Sequence, residues 1–474
     1  MLGLFGTLDM GARSMQNQLT GIEVTGHNLA NVNNPAYARQ RVRFQTNTTI
    51  PTPLGPQGTG AQVTAITQLR NALLDRQLIG EAGLTAYWQT QQRLLEQAET
   101  SLGQQLDRQA DSISGTASGS TGGSMGLAEQ LSDLFNAFQS VATQPASVEE
   151  RQVLLQKARA VAEQFNRVHG RLTGLQTAIQ DQLQEDVQTV NRLLADIAAL
   201  NHQIARTELS AKGPANDLRD LRQEKLEELG KYLNLEVVED QTGQVNIATS
   251  GVLLVDGQQV SLQLETFDAG QGLLQLRTSD GQPLSVTSGS LAGLMEMRDG
   301  ALAGALDRIN RLAGTLIQTV NALHANGFDL EGNTGLDFFL GTDAATIALN
   351  DVLVDNPARF QAAGAAGAAG DNQVVLQLAR LASAPQAALG GQTLQQYYHQ
   401  TVTGLGESLA EATRQVKNQE AVHQMLQRQR DAVSGVSLDE EMTEMVKFQK
   451  AFQASARLVS TVDELLETVI SMKR

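Results

Sequence analysis

Cysteine is absent from this chain of 474 residues, which excludes disulfides, thiolate metal ligands and cysteine nucleophiles. Aromatic residues make up only 4% of the sequence while hydrophobic residues make up 41%, so there are few large rings to fill a deep globular core. No apolar run approaches the roughly 20 residues of a membrane span. This composition favours elongated helical bundles with small side domains over one compact enzyme, and the length predicts two to four domains.

Basic residues are fewer than acidic residues in this chain. The 35 lysines and arginines face 51 acidic residues, and the net charge of -16 argues against nucleic acid or an anionic membrane as a partner. The N-terminus does not resemble a cleavable secretory signal, because residues 1–10 have no basic region and Asp9 interrupts the apolar stretch. If the protein leaves the cell, we expect a route that accepts an unprocessed N-terminus.

Both ends of the chain carry apolar residues at seven-residue spacing, which predicts an amphipathic helix at each terminus. Such helices have little of their own domain to pack on, so we expect them to meet each other or other subunits. The candidate assembly interface is Leu8, Met15, Leu19, Ile22, Leu29, Leu438, Phe452, Val459 and Leu466.

The first helix is predicted to end at Asn33, Asn34 and Pro35, since a residue before proline avoids the helical region. Residues 37–44 then alternate in the pattern of a half-buried strand. Arg39, Arg41 and Arg43 share one face of it, and on so acidic a chain we expect them to pair with acidic groups or to be solvated. A proline- and glycine-rich stretch at residues 51–60 predicts a loop.

Most of the following sequence has helical spacing. Ser147 and Glu150 form a capping box that opens the longest helical pattern, which would run on the order of 85 Å if unbroken. Gly170 and Gly174 are possible kink sites within it. The Gly/Ser-rich residues 112–126 predict a flexible link.

The pattern changes after Leu233 into short alternating runs with Asp256-Gly257 and Asp280-Gly281 hairpin signals. Helical spacing returns at residues 302–323 with a C-terminal cap at Asn326-Gly327, residues 328–391 are loop-like, and one more long helix follows. The predicted fold is mainly α: a long antiparallel helical bundle, terminal helices pairing as a coiled coil, and a small antiparallel β domain inserted mid-chain.

Residues for catalysis, cofactor binding or metal binding are not evident in the sequence. The six histidines lack ligand spacing. Asp329, Glu331, Asn333 and Asp337 only faintly resemble a calcium loop, because the required glycine and closing glutamate are missing, and an ordinary polar turn is favoured. The glycines of residues 364–370 are not followed by Lys-Ser/Thr, so no phosphate loop is predicted. We therefore expect a protein that is not an enzyme.

Four segments resemble a known family. Residues 21–44, GIEVTGHNLANVNNPAYARQRVRF, resemble the rod and hook family of bacterial flagellar axial proteins, although Ala36 stands where relatives often have glycine. Residues 434–474 are similar to the tail of the hook-filament junction members, and NDLRDLRQEKLEELGKYLNLEVVE and GFDLEGNTGLDFF match comparable segments. Larger members carry an outer domain near residues 341–395, where this chain has an Ala/Gly-rich connector.

The resemblance implies a structural subunit that joins hook to filament, assembling through its terminal helices as an adaptor between two helical lattices. It implies as partners further copies of the chain, the hook protein, the second junction protein and a cytoplasmic export chaperone, with neither nucleic acid nor membrane. It also implies a flagellar, extracellular location after type III export without a cleaved signal peptide. The apolar C-terminal helix is the expected chaperone contact, through Met442, Met445, Phe448 and Phe452.

The predicted domain organisation has six segments. They are an N-terminal helix (1–36), a first bundle part (37–232), the β domain (233–290), a return helix with connector (291–395), a second bundle part (396–437) and a C-terminal helix (438–474). The alternative function is an intracellular coiled-coil scaffold or regulatory binding module. That alternative accounts for the helices and the acidity, but not for the Asn-Asn-Pro-Ala-Tyr stop.

Overall fold

The computed structural model describes residues 3–52, 55–102, 126–210, 213–270 and 272–472. The helices are α1 Leu4–Ala30, α2 Ala72–Ser101, α3 Leu127–Thr143, α4 Val148–Ser210, α5 Asn216–Gly230, α6 Gly289–Met297, α7 Ala303–His324, α8 Asp351–Asp355, α9 Gln373–Arg380, α10 Leu394–Ser434 and α11 Leu438–Ser471. The strands are β1 Gln40–Thr46, β2 Thr49–Thr52, β3 Gly55–Gly58, β4 Ala61–Gln68, β5 Glu236–Glu239, β6 Val245–Thr249, β7 Val252–Asp256, β8 Gln259–Val260, β9 Leu264–Asp268, β10 Leu274–Thr278, β11 Phe339–Leu340 and β12 Ala348–Leu349.

The predicted fold class is confirmed. Most of the described chain is helical, α1 packs against α11, and small antiparallel sheets lie mid-chain. The mid-chain β region has a four-stranded sheet in the order β5-β6-β7-β8 and a β9-β10 hairpin. The Asp256-Gly257 hairpin signal is borne out between β7 and β8, where Gly257 has a φ of 55° that favours glycine.

The chain divides into two compact units. The first gathers Met1–Ala86, Glu185–Ala292 and Asn418–Arg474, and the second gathers Tyr87–Gln184 and Gly293–Lys417. Each unit is assembled from stretches that are far apart in the sequence. The six-segment division follows chain order and remains a proposal.

In the first unit, the strand predicted at residues 37–44 begins at Gln40 and forms β1. It pairs antiparallel with β4, from Gln40 opposite Gln68 to Thr46 opposite Ala61. The proline-rich stretch predicted as a loop instead contains the short β2-β3 hairpin. This hairpin arm follows α1 directly, so the predicted helix stop and strand are adjacent elements of one unit.

The longest helical pattern is confirmed as α4, a helix of 63 residues. Its start is capped as predicted, because the backbone N–H of Glu150 donates to Ser147 Oγ at 3.2 Å. Gly170 and Gly174 both lie within the assigned helix and do not interrupt it. The predicted flexible link at residues 112–126 lies outside the described residues, apart from Gly126.

Residues 328–391 are mainly irregular, as expected, but they also contain short regular elements and a buried core. This stretch contains β11, β12, α8 and α9, and its rings Phe338, Phe339 and Phe360 are fully buried. Phe338 and Phe360 pack around Phe138 of α3, with ring centroids 5.7 and 6.3 Å away. The elements are too short to show periodicity, and the small residues between them permit close packing.

The C-terminal helix cap predicted at Asn326-Gly327 does not match the observed helix end. The helix ends at His324, and Gly327 is not among the residues with positive φ. Instead, a Cβ built on Gly327 would lie 2.7 Å from the Gln361 carbonyl oxygen. Glycine is therefore needed here for close backbone approach.

Candidate assembly surface

The terminal helices α1 and α11 pair antiparallel in one register. Ser14 Oγ and Ser455 Oγ are 2.8 Å apart, and a Cβ built on Gly21 would lie 2.8 Å from the Phe448 ring. Seven residues forward on α1 thus correspond to seven residues back on α11. The same register brings Gly11 against Val459 and Asn28 against Glu441. Small and polar residues of α1 therefore form the seam with α11.

The apolar stripe predicted on α1 lies beside this seam. Met15, Ile22 and Leu29 each follow a seam residue by one position, which places them about 100° further around the helix. They are half-buried, as is Leu8, while Leu19 is 47% exposed. Within one chain, α1 consequently presents a small and polar face towards α11 and an apolar stripe that is only partly covered, with Leu19 as its most exposed residue.

The predicted residues of α11 divide between the seam and the surface. Phe448 and Val459 contact the seam glycines of α1, while Leu438 and Met442 are 52% and 50% exposed. Met445, Phe452 and Leu466 are half-buried. Further exposed apolar side chains of α11 are Val446, Leu458, Leu465, Val469 and Ile470.

A buried polar cluster lies at the end of the seam where α1 ends and α11 begins. The Asn28 side-chain amide donates to the Gln40 carbonyl and to Glu441 Oε2, both at 2.9 Å. Its oxygen accepts from Tyr37 Oη at 2.7 Å and from the Gln40 N–H at 2.9 Å. Asn28 and Glu441 are both almost fully buried, so the Asn28 amide is satisfied on every side.

Arg39 supplies the cationic group of this cluster. Its guanidinium donates from Nε to Glu441 Oε1 at 2.6 Å and from Nη1 to Glu440 Oε2 at 2.5 Å. Burial opposes the charge on Arg39, but the hydrogen bonds and charges of Glu440 and Glu441 outweigh it and raise the Arg39 pKa. The predicted pairing of arginine with acidic groups is thus found at Arg39, while Arg41 and Arg43 are exposed.

Arg70 links the turn after α1 to Asp220 of α5. Arg70 Nη2 donates to the Ala36 carbonyl at 3.1 Å and to Asp220 Oδ1 at 2.6 Å. Burial raises the pKa of Asp220, and the neighbouring Arg70 partly offsets that rise. Beside this turn lies an open cleft of about 720 Å³, lined by residues 31–39 and by the junction between α10 and α11.

Sequence reasoning missed the roles of Asn28 and Glu441. A signal was present, because Ser14, Gly21 and Asn28 form a second seven-residue row beside the apolar stripe. On α11, Glu441, Phe448 and Ser455 repeat the same spacing. A row of small and polar residues at heptad spacing indicates a close helix-helix seam as readily as an apolar row does.

Metal-binding chemistry is not found among the described residues, where no group of three or more His, Asp or Glu side chains could hold an ion. In the faint calcium loop, Asp329 Oδ1 accepts from the N–H groups of Glu331 and Asn333 at 2.9 and 2.8 Å, and Oδ2 lies 2.9 Å from Arg359 Nε. The loop is thus a polar turn closed by an ion pair. In the described part of the chain, no helix combines the length and apolarity needed to span a membrane.

Comparisons with known proteins first define a class. Residues 420–472 match the family model for the flagellar basal body rod FlgEFG protein C-terminal region, and residues 118–339 match the flagellar hook-associated protein FlgK helical domain. The fold, with its paired terminal helices, is that of a flagellar axial protein. Over the second of these segments the chain is similar to the flagellar hook-associated protein FlgK family.

The similarity to relatives extends over the full length of the chain. The chain is 29% identical to flagellar hook-associated protein 1 of Bacillus subtilis (strain 168), with 99% of each chain covered. It is 22% identical to flagellar hook-associated protein 1 of Escherichia coli (strain K12), over 95% of this chain and 97% of the relative. The solved structure of the flagellar hook junction protein FlgK from Burkholderia pseudomallei has the same fold, with a TM-score of 0.63 at 16% identity, covering 76% of this chain and 100% of that one.

Proposed function

We propose that this chain is a structural subunit of the bacterial flagellum that joins hook to filament, acting as an adaptor between two helical lattices. The observation that carries the proposal is the end-to-end similarity to flagellar hook-associated protein 1. The family is one of structural flagellar proteins, and a purely structural role without catalysis is part of the proposal.

Assembly is proposed to use the apolar stripe of α1 and the exposed apolar side chains of α11. The α1-α11 seam leaves Leu19 and Met442 about half exposed, so these surfaces remain available to neighbouring copies. Their burial between subunits would remove apolar area from water, at roughly 25 cal/mol per Å², and would offset the loss of freedom on assembly. We propose the hook protein and the second junction protein as the partners on either side.

Export is proposed to precede assembly. The subunit would pass through the flagellar type III apparatus without signal cleavage and act outside the cell. In the cytoplasm the exposed apolar surface of α11 would favour aggregation. We propose that a dedicated chaperone binds this surface before export. Met442 and Met445 are the best-placed contacts, since Phe448 already packs on Gly21.

Cells lacking this protein are expected to build hooks but no filaments, because the hook is complete before the adaptor is added. Flagellin should then accumulate in the medium as soluble subunits, since export continues without a template for polymerisation. Electron microscopy of the deletion strain and flagellin measurement in culture supernatant provide the test. The complemented strain is the control.

Normal filaments on the deletion cells would contradict the proposed function. A regulatory scaffold predicts a different phenotype, with altered hook length or altered flagellar gene output while filaments stay attached. Hook length and transcript levels measured in the same cells distinguish the two roles.

A chaperone is expected to co-purify with the full-length protein and to be lost from a chain ending at Ser437. In the full-length chain, Met442→Ser combined with Met445→Ser should weaken this capture at least tenfold, because flexible thioether side chains would be removed from the contact surface. The matched control is Leu458→Ser with Leu465→Ser, which changes two exposed residues elsewhere on α11. Equal capture by the chain ending at Ser437 would refute the α11 assignment.

A further inference from the structure

We propose that Asn28, Arg39 and Glu441 form a register lock, a buried polar cluster that selects one of several heptad-related pairings of α1 with α11. The inference concerns the isolated chain and goes beyond the proposed function. In α11, an apolar residue recurs every seven positions, at Leu438, Met445, Phe452, Val459 and Leu466. Sliding α11 by seven residues along α1 replaces each of these residues with an equivalent one.

Apart from Phe448 and the polar cluster, the seam offers little discrimination between such registers. Its α1 side is built from Gly11, Ser14 and Gly21, which contribute little apolar area. The Ser14-Ser455 hydroxyl pair is a single neutral hydrogen bond, and such bonds have small net effects on stability. These contacts alone therefore leave the register weakly specified.

The polar cluster does not repeat. In the observed register Glu441 is buried against Asn28 and Arg39, and all three side chains are hydrogen-bonded. A slip of seven residues would move Glu441 opposite Gly21 in one direction and past the end of α1 in the other. In the first case its carboxylate loses both partners while it remains in the seam, which is strongly unfavourable. In either case Asn28 and Arg39 lose their hydrogen bonds to Glu441.

Phe448 adds a second, independent constraint. Its ring occupies the space left by Gly21, and the two slipped registers would place it opposite Ser14 or Asn28. A test of the polar cluster therefore needs this ring removed in every variant. Register selection also has a consequence for the outer surface, because it decides which exposed residues of α11 lie beside the apolar stripe of α1.

The test uses engineered disulfides in this cysteine-free chain. Ser14→Cys with Ser455→Cys reports the observed register, since the two hydroxyl oxygens are 2.8 Å apart. Ser14→Cys with Val462→Cys reports one slipped register, and Thr7→Cys with Ser455→Cys reports the other. Each pair is placed in three backgrounds: Phe448→Ala alone, Phe448→Ala with Glu441→Leu, and Phe448→Ala with Glu444→Leu as the matched control. Glu444 is half-buried on the same helix and pairs with Lys447.

We expect the observed-register disulfide to dominate in the reference and control backgrounds. With Glu441→Leu, the ratio of slipped to observed-register disulfides in monomeric protein should rise at least tenfold, while helicity by circular dichroism is retained. Asn28→Ala in place of Glu441→Leu should shift the ratio in the same direction. An unchanged ratio would overturn the proposal, since other seam residues would then select the register. Loss of all three disulfides together with helicity would also overturn it, because the cluster would then hold the helices together without selecting a register.

Discussion

Replacing Leu19 and Ile22 by aspartate is expected to abolish incorporation at the hook tip while leaving the main thermal transition unchanged. Leu19 is 47% exposed and Ile22 is half-buried, and both lie off the α1-α11 seam, so carboxylates at these positions can reach solvent in the single chain. In a packed assembly the same groups would be buried without partners, at a cost of roughly several kcal/mol per subunit. Melting by circular dichroism and incorporation by electron microscopy are the two measurements.

The matched control adds two carboxylates to another face of the same helix, through Gln16→Asp and Thr20→Asp. These positions lie away from both the seam and the apolar stripe, and incorporation should persist. If the Leu19/Ile22 variant lost its main melting transition, the stripe would belong to the folded core of the chain. The assembly role of the stripe would then have to be abandoned.

Acid is expected to destabilise the second unit through His324, which is fully buried at the end of α7. As a neutral side chain, His324 donates from Nδ1 to the Leu336 carbonyl at 2.7 Å and accepts at Nε2 from the Gln361 N–H at 3.0 Å. Burial, with the Arg151 charge adding to it, lowers the pKa of His324 from 6.5 to about 4. Protonation in the folded state would remove the acceptor and leave a buried cation.

Proton linkage gives the direction in which the free energy of unfolding changes with pH. Above pH 6.5 neither state binds the proton, so this group gives no pH dependence. As the pH falls from 6.5 to about 4, the unfolded state binds the proton first, and stability should drop by roughly 3 kcal/mol in total. Urea unfolding at several pH values, followed by fluorescence of the single tryptophan Trp88 in the same unit, measures this change.

A His324→Gln variant should lose this part of the pH dependence. It should also be less stable near neutral pH, by about 1–3 kcal/mol, because one buried hydrogen-bond partner is lost or misplaced. His399→Gln, at an exposed histidine, is the control and should behave like the parent protein. Identical pH slopes in the parent protein and the His324 variant would show that another group causes the acid sensitivity.

Long or strongly patterned elements could be predicted from the sequence. The capping box at Ser147 marks the start of α4, and the heptad rows at the two termini specify α1 and α11. A spacing that repeats over many residues is a stronger signal than the preference of any single residue. Asp256-Gly257 specifies its hairpin because only glycine readily adopts the required left-handed conformation. The short elements in residues 328–391 could not be predicted, since Phe338 and Phe360 are buried by contacts with the distant Phe138.

The sequence by itself determined that both ends of this protein form amphipathic helices with an apolar stripe, since that information is carried in local seven-residue spacing. Only the tertiary structure decided which face of α1 meets α11. Gly21 leaves space for the Phe448 ring, and Asn28 and Arg39 each donate to Glu441, which lies more than 400 residues away along the chain. The stripe is only partly covered because close approach at small residues and hydrogen bonding of a buried charge decide the α1-α11 contact within a single chain.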